Sequence, residues 1–88
     1  MNFRMVHNNI NVLDLEKSVA FYKKALGMQE VRRKEAEDGS FALVFLEDGL
    51  SGHQVELTWL RDRKEPYNLG DNEIHMAMAT DNLEAARA

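Results

Sequence analysis

Two stretches of this sequence begin in the same way, and this internal repeat constrains the fold more than any other feature. The first is MVHNNINVLDLEKSVA near the start, and the second is EIHMAMATDNLEAARA at the end. Aligned on their histidines, they share His7/His75, Leu15/Leu83, Glu16/Glu84 and Ala20/Ala88, with near matches at Val6/Ile74, Ile10/Met78 and Asp14/Asn82. Such self-similarity is typical of a duplicated structural unit. We therefore expect two equivalent units, of which the second is only begun within these 88 residues.

The first copy has the pattern of a strand followed by a helix. Polar and apolar residues alternate over residues 6–12, which is the period of a β-strand. One face of this strand is polar and carries His7, Asn9 and Asn11, whereas Val6, Asn8, Ile10 and Val12 point the other way. Asp14 is a suitable N-cap for a helix of about three turns, and Gly27 is placed to end it.

Three further strands follow the predicted helix. MQEVRRKEAED is an extended charged segment, and EDGS predicts a turn into FALVFLE, which is rich in strand formers. HQVELTWL also alternates, so that Glu56 and Thr58 share one face of its strand. The order of one strand, one helix and three strands predicts an α+β fold, with the first unit over residues 1–64.

The second unit is predicted over residues 65–88. RDRKEPYNLGDN has the composition of a loop, EIHMAMAT alternates like a strand that carries His75, and LEAARA opens a helix capped by Asp81 or Asn82. Only the first strand and the start of the helix of this unit are expected here. Such a chain should expose an apolar edge and associate by pairing or exchanging elements between copies. The alternative is that it is a fragment of a longer protein.

The composition argues against several classes of partner. A formal net charge of -4 and the lack of a long basic stretch argue against nucleic acid and anionic membranes. There is no cysteine, so neither a disulfide framework nor a thiolate metal site can form. No apolar run approaches the ~20 residues that cross a bilayer, and the N-terminus lacks the apolar region of a signal peptide. We therefore expect a cytoplasmic protein.

His7, Glu56 and His75 are the residues most suited to chemistry. Two imidazoles and a carboxylate suit Zn, Ni, Co, Mn or Fe(II), and each lies in a predicted strand, where its direction is fixed. The repeat places both histidines at equivalent points of equivalent strands, where a two-fold arrangement would bring them face to face. The alternative for each is a structural role, as a hydrogen-bonded histidine or an exposed strand glutamate. His53, beside a turn glycine, is predicted to lie at the surface.

A series of short motifs runs along almost the whole chain. It comprises the histidine of the first strand, DLEKSVAFYKKALGM with its Phe21-Tyr22 pair and Leu26-Gly27-Met28, and then FALVFLEDG, VELTW and YNLGDNEIHMAM. In this order and at this spacing, the motifs resemble those of the glyoxalase I (lactoylglutathione lyase) branch of the vicinal oxygen chelate superfamily.

This resemblance implies two βαβββ units of the glyoxalase, bleomycin-resistance and dioxygenase type, each a curved sheet that cups a metal. It implies that His7, Glu56 and His75 hold a divalent ion such as Ni, Zn or Co, together with a glutamate from later strands of the second unit. Such sites usually form between two subunits, so a homodimer is expected. The implied substrate is the hemithioacetal of methylglyoxal and a thiol, usually glutathione, which is isomerised to the lactoyl thioester.

The ligand set suits that reaction. Proton abstraction next to a carbonyl builds negative charge on oxygen, which a divalent cation stabilises as a Lewis acid. A carboxylate ligand that loosens can move the proton between the two carbons. In this interpretation His7 and His75 hold the metal, whereas Glu56 is both a ligand and a candidate catalytic residue.

Two positions depart from the glutathione-using members of the family. Many of these carry an arginine four residues after the first histidine and an asparagine four residues after the central glutamate, where this chain has Asn11 and Leu60. We assign Asn11, Leu60 and the neighbouring Thr58 to the substrate-binding surface. Candidates to replace the missing cation are Arg4, Arg61 and Arg63. A thiol other than glutathione, or a carbonyl substrate other than methylglyoxal, is therefore an open alternative.

Three functions are open for the chain. The first is the metal-dependent lyase, and the second is a small-molecule binding module like the antibiotic-sequestering members of the superfamily, which often lack a metal. The third is an inactive truncated unit that keeps only its dimer-forming surface. The presence of His7, Glu56 and His75 together favours the enzyme. Relatives such as methylmalonyl-CoA epimerase-like and extradiol dioxygenase-like proteins use similar ligands, but VELTW points away from them.

Overall fold

A four-stranded mixed sheet and one long helix form the body of the chain, in a computed structural model that describes residues 1–87. The elements are β1 (His7–Val12), α1 (Leu15–Leu26), β2 (Gln29–Glu35), β3 (Phe41–Glu47), β4 (Gln54–Leu60) and α2 (Leu83–Arg87). Their order across the sheet is β1-β4-β3-β2. The predicted α+β class and the predicted βαβββ order of the first unit are confirmed.

β1 and β4 are neighbours in the sheet although they are the first and last of its strands along the chain. They run parallel, with Asn9 opposite Glu56 and Asn11 opposite Thr58. Parallel neighbours require a long connection, which here includes α1, β2 and β3. β2, β3 and β4 pair as antiparallel neighbours. Side chains that are far apart in the sequence therefore meet across β1 and β4.

The long helix α1 begins and ends as its sequence predicts. The side chain of Asp14 accepts a hydrogen bond from a backbone N–H of the first turn (3.1 Å), a group that has no partner within the helix. Gly27 ends the helix with φ 67°, a left-handed conformation that glycine adopts without strain. Leu15 and Val19 are buried. The apolar stripe of α1 therefore faces the sheet.

The core lies between α1 and one face of the sheet. Its most buried side chains are Val44, Leu46, Val55 and Leu57, each at most 2% exposed. Full burial of such a side chain stabilises the fold by about 1.5 to 3 kcal/mol. Because successive strand residues point to opposite faces, the intervening side chains of β3 and β4 lie on the sheet face away from α1.

A bulge in β2 aims one arginine toward α1. The pairing of β2 with β3 shifts between Glu30 and Arg32, and the next residue, Arg33, faces the helix. Its guanidinium forms ion pairs with Glu16 of α1 (2.7 Å) and with Glu30 (3.0 Å). Hydrogen bonds to Glu30 and then to Glu16 raise the pKa of Arg33, and the bond from Arg33 lowers the pKa of Glu30 below its ordinary 4.5. This cluster ties the edge strand to the helix.

The prediction of a strand over EIHMAMAT is wrong: residues 61–82 contain no strand. A strand is held by hydrogen bonds to a neighbouring strand, and within residues 1–87 none pairs with this segment. The predicted second helix begins at Leu83, as α2. The predicted division into units over residues 1–64 and 65–88 stays a prediction.

Many of the large exposed apolar side chains lie in the two terminal segments. They include Met1, Phe3, Met5, Leu69, Ile74, Met78 and Leu83. Within residues 1–87 these segments contain no strand, so the predicted apolar edge of a second unit and the predicted association of copies stay predictions. Within the described part of the chain, no helix combines the length and the apolar character that a bilayer span requires.

Candidate functional site

The sheet face away from α1, here called the open face, carries most of the candidate residues. By register and alternation it comprises His7, Asn9 and Asn11 of β1, Gln54, Glu56, Thr58 and Leu60 of β4, Phe41, Leu43, Phe45 and Glu47 of β3, and Gln29, Arg32 and Lys34 of β2. α1 covers the other face. The open face therefore combines polar side chains on β1 and β4, three apolar side chains and the carboxylate of Glu47 on β3, and two cations on β2.

His7 and Glu56 come together on the open face. Their closest atoms, Nε2 of His7 and Oε1 of Glu56, are 3.5 Å apart. The Glu56 side chain is 15% exposed and the His7 side chain 41% exposed, so the pair is reached from solvent mainly through the imidazole. Two of the three predicted metal ligands are thus adjacent, because β1 and β4 are parallel neighbours.

The ring of Phe45 holds His7 from β3. The two rings meet edge to face, with centroids 5.4 Å apart and planes at 84°. Phe45 is 3% exposed and lies directly opposite Glu56 in the β3–β4 register. Edge-to-face pairs of this kind are favourable and restrict ring orientation. Phe45 therefore positions the imidazole beside the carboxylate.

His75, the third predicted ligand, is not part of this cluster. It is exposed and lies in the segment without secondary structure. Within residues 1–87, no three His, Asp or Glu side chains converge as a metal site. The structure therefore brings together His7 and Glu56 but not His75.

The three predicted substrate-binding residues lie on the open face, farther along β1 and β4 than the His7–Glu56 pair. Thr58 donates a hydrogen bond to Oδ1 of Asn9, and Nδ2 of Asn9 donates to Oδ1 of Asn11 (2.7 Å). The side-chain carbonyl of Asn11 accepts the bond from Asn9, so the Nδ2 donors of Asn11 take no part in these two hydrogen bonds. Leu60 is 39% exposed and lies opposite Phe41. The face thus offers amide groups near the pair and an apolar end.

Arginines proposed from the sequence to replace the missing cation do not all reach this face. Arg61 donates from Nη1 to the carbonyl of Asp38 (2.8 Å). Arg63 stacks on Tyr67, with 4.4 Å between its guanidinium carbon and the ring centroid, and bonds two carbonyls of the following loop. Both side chains are therefore occupied in turns. Arg4 is exposed in the N-terminal segment, before β1.

Arg32 is the functional candidate that the sequence did not indicate. Its guanidinium carbon lies 4.1 Å from the centroid of Phe45, so that the ring contacts Arg32 as well as His7. In the sequence it stands within VRRKEAED, which has the composition of a solvated charge run. Only the bulge in β2 places it on the open face.

His53 was predicted to lie at the surface, and this is wrong in one respect. The residue is half-buried, and Nε2 donates to Oδ1 of Asn8 (2.7 Å). Asn8 is the second residue of β1, with its side chain on the face away from that of His7, and His53 immediately precedes β4. His53 therefore has a structural role in joining the two strands.

A groove of about 560 Å³ lies near the N-terminal end of α1, away from the His7–Glu56 pair. Asp14, Arg33, Glu35 and Trp59 are among the residues that line it. None of the predicted ligands or substrate-binding residues does so. The groove therefore lies apart from the His7–Glu56 pair and shares only Phe41 with the open face as defined above.

Comparisons with known proteins agree in sequence and in fold. Residues 4–88 match the sequence model of the Glyoxalase/Bleomycin resistance protein/Dioxygenase superfamily. The chain is 35% identical over 86 residues to a probable lactoylglutathione lyase of Vibrio parahaemolyticus, covering 96% of this chain and 62% of that relative. It is 38% identical over 85 residues to a lactoylglutathione lyase of Neisseria meningitidis, covering 94% of this chain and 61% of the relative.

A solved structure resembles the whole described fold. The trypanothione-dependent glyoxalase I of Leishmania major superposes with a TM-score of 0.82 at 28% sequence identity, covering 98% of this chain and 63% of that one. The chain therefore spans between 61% and 63% of the length of these three proteins.

Proposed function

The chain belongs to the glyoxalase/bleomycin resistance protein/dioxygenase superfamily, and from this membership we propose that it acts as a metal-dependent lyase of the glyoxalase I type. The reaction would convert the hemithioacetal of methylglyoxal and a thiol to the lactoyl thioester. One observation carries the proposal, namely the adjacent His7 and Glu56 on the open face. Relatives that bear the name lactoylglutathione lyase support it.

The donor atoms of the pair fit a divalent ion. Imidazole nitrogen and carboxylate oxygen are ligands that suit Ni, Zn or Co. Two donors that are each about 2.1 Å from one ion lie about 3 to 4 Å apart, and the separation of Nε2 from Oε1 is 3.5 Å. We propose His75 as the third ligand, supplied by a second unit that packs against the open face. In a homodimer, that unit would come from the partner copy.

A divalent ion held here would supply Lewis-acid stabilisation of the negative charge that develops on the substrate oxygens. Glu56 is the general base: its carboxylate removes the proton from the carbon that bears sulfur and hydroxyl. It then returns this proton to the neighbouring carbon, which was the ketone carbon. The hydroxyl oxygen loses its own proton and becomes the thioester carbonyl, and the former ketone oxygen takes up a proton and becomes the product hydroxyl. His7, held by Phe45, orients the site. Asn11, Thr58 and Leu60 line the surface on which the substrate lies.

The thiol half of the substrate is glutathione or another thiol. Asn11 and Leu60 stand where glutathione-using members often carry an arginine and an asparagine. The side chain of Asn11 can donate hydrogen bonds from its amide, but it carries no charge. The cytoplasmic location stays a prediction.

Binding without catalysis is the second candidate function. The half-buried Phe41 and Leu43 give the open face an apolar floor beside its polar residues, which is the character of a small-molecule site. A binding module has no need of a metal. Metal titration separates the two functions, because only the enzyme requires His7 and Glu56 as ligands.

The experiment is isothermal titration of the metal-free chain with Ni(II), repeated on His7→Ala, Glu56→Gln and the control His53→Gln. The proposal expects saturable binding that weakens by about 10-fold or more in the first two variants and is kept in the control, because each lost ligand removes a direct bond to the ion. Thioester formation from methylglyoxal and glutathione is then followed in the metal-loaded protein. Equal Ni(II) affinity in wild type and His7→Ala would overturn the proposal.

A further inference from the structure

The bulge in β2 determines which residue faces Phe45. Before it, Glu30 pairs with Leu46, and after it Arg32 pairs with Phe45. The residue between them, Val31, has no partner in the register. In a regular antiparallel ladder Val31 would oppose Phe45, and Arg32 would point toward α1. The bulge therefore turns Arg32 from the helix side onto the open face, as bulges beside functional sites do when they redirect a side chain.

Arg32 and Arg33 are consecutive residues in opposite electrostatic settings. Arg33 forms ion pairs with Glu16 and Glu30 on the helix side. Within residues 1–87, no carboxylate lies within 4.0 Å of the Arg32 guanidinium, which rests instead on the face of Phe45. A guanidinium stacked on a ring keeps the N–H donors of its edge available to a planar acceptor. Arg32 thus offers these donors, and a full charge, to the open face.

A second cation lies on the same edge of the open face. Lys34 pairs with Leu43 in the register and, like Arg32, is exposed. Both belong to β2, at the edge of the sheet opposite β1. The β2 edge of the open face therefore carries two cations, although the whole chain has a net charge of -4. The carboxylate of Glu47, on the neighbouring strand β3, faces the same side but forms no ion pair with Arg32.

The register gives the distance between this charge and the candidate catalytic residue. Glu56, Phe45 and Arg32 form one row across β4, β3 and β2. Neighbouring strands lie about 4.8 Å apart, so the backbones of Glu56 and Arg32 are separated by about 10 Å. When the reacting carbons of a substrate lie at Glu56, Arg32 is too far away to contact them. It would instead contact a group several bonds farther along the thiol half of the substrate.

We propose that Arg32 binds a carboxylate on the thiol half of the substrate and so makes the site selective for anionic thiol adducts. This rests on the proposed function and deepens it. A guanidinium binds a carboxylate through two parallel N–H···O bonds, which fixes orientation as well as position. The positive charge that binds the carboxylate is thus supplied by β2. The position on β1 where glutathione-using members often carry an arginine is occupied here by the neutral Asn11.

The test uses two unreactive thioethers of equal length, 6-(methylthio)hexanoate and 6-(methylthio)hexan-1-ol, which differ in one negative charge. Their affinities for the Ni(II)-loaded chain are measured by NMR titration. We expect the carboxylate to bind about fivefold more tightly than the alcohol, the ratio that one partly exposed ion pair supports. Arg32→Gln should reduce the ratio to about one, and Arg32→Lys should keep part of it.

Lys24→Gln is the matched control, since it removes one positive charge from an exposed position of α1. A carboxylate preference that survives Arg32→Gln, or that Lys24→Gln abolishes equally, would overturn the proposal, as would its absence in the wild type. An equal loss in Lys24→Gln would indicate that the positive charges of the chain attract the carboxylate in general, and that Arg32 does not form a specific binding site. A chain that binds Ni(II) through His7 but shows no preference overturns this proposal alone, whereas a chain that does not bind Ni(II) overturns the proposed function.

Discussion

Nε2 of His7 lies 3.5 Å from Oε1 of Glu56, although the two residues stand at opposite ends of the first unit. Their contact follows from the parallel pairing of β1 with β4, since the connection through α1, β2 and β3 returns the chain to the strand on which it began. A metal site made this way depends on the sheet as a whole rather than on a local motif.

Glu56→Gln should abolish most of the proposed activity while leaving the fold intact. The amide has the same shape as the carboxylate but cannot accept the proton, and general acid–base catalysis contributes about 10²- to 10⁴-fold to a rate. We expect a loss of kcat in that range, measured as thioester formation from the hemithioacetal. Glu37→Gln, in an exposed turn, is the control. An unchanged kcat in Glu56→Gln would show that another group moves the proton.

Phe45→Leu should weaken metal binding without touching a ligand. The variant removes the ring that contacts both His7 and Arg32, so the imidazole loses an edge-to-face contact worth about 0.5 to 1.5 kcal/mol. Ni(II) affinity should therefore fall by up to about 10-fold. Phe21→Leu is the matched control, because Phe21 is 57% exposed on α1. If both variants bind Ni(II) as the wild type does, Phe45 does not position His7.

Glu30→Gln should destabilise the fold in a pH-dependent way. The pKa of Glu30 is lowered from 4.5, chiefly by the hydrogen bond from Arg33, so the folded state favours its ionised form. The contribution is therefore present above pH 4.5 and is lost as the pH falls through the lowered pKa. We expect a loss of about 1 kcal/mol in the free energy of unfolding at neutral pH, shrinking toward zero in acid. Urea denaturation across this range measures it.

Glu35→Gln, on the same strand, serves as the control for this experiment, since no ion pair joins Glu35 to the described residues. Its stability should follow that of the wild type at every pH. A Glu30→Gln deficit that stays constant down to strong acid would mean that packing, and not charge, explains the effect.

Local patterns in the sequence were sufficient to predict β1, α1 and β4. Alternation predicts which side chains share a face, and the caps at Asp14 and Gly27 are local interactions that need no other part of the chain. The pairing of β1 with β4 and the adjacency of His7 and Glu56 are tertiary. The family resemblance implied that His7 and Glu56 lie close together, as ligands of one metal, whereas the pairing of β1 with β4 was not predicted.

Two other features could not be predicted from the sequence, for physical reasons. A single extra residue, Val31, changes which of the following side chains of β2 face α1 and which face the open side. Nothing in VRRKEAED distinguishes such a bulge from a regular strand. For this reason Arg32 was missed, and Arg4, Arg61 and Arg63 were considered instead. The strand predicted around His75 failed because alternation describes a surface that can pair, whereas a strand exists only when a neighbour is present.

Mixing two defective variants should show whether the site forms between copies of the chain. His7→Ala and His75→Ala each remove one proposed ligand, and neither alone should bind Ni(II) tightly. If His75 reaches the open face of a partner copy, a mixed dimer contains one site with His7 and Glu56 from one chain and His75 from the other. Unfolding the two variants together and refolding them should then restore tight binding at about a quarter of the sites.

If each site takes all its ligands from one chain, no mixture can restore it. A stoichiometric mixture that binds Ni(II) no better than its components would therefore exclude a site shared between copies. Size-exclusion chromatography of the same samples supplies the second measurement, because the exposed apolar side chains near His75, such as Ile74 and Met78, should be buried when the site forms. A stable monomer at micromolar concentration that still binds Ni(II) through both histidines would place the whole site within one chain.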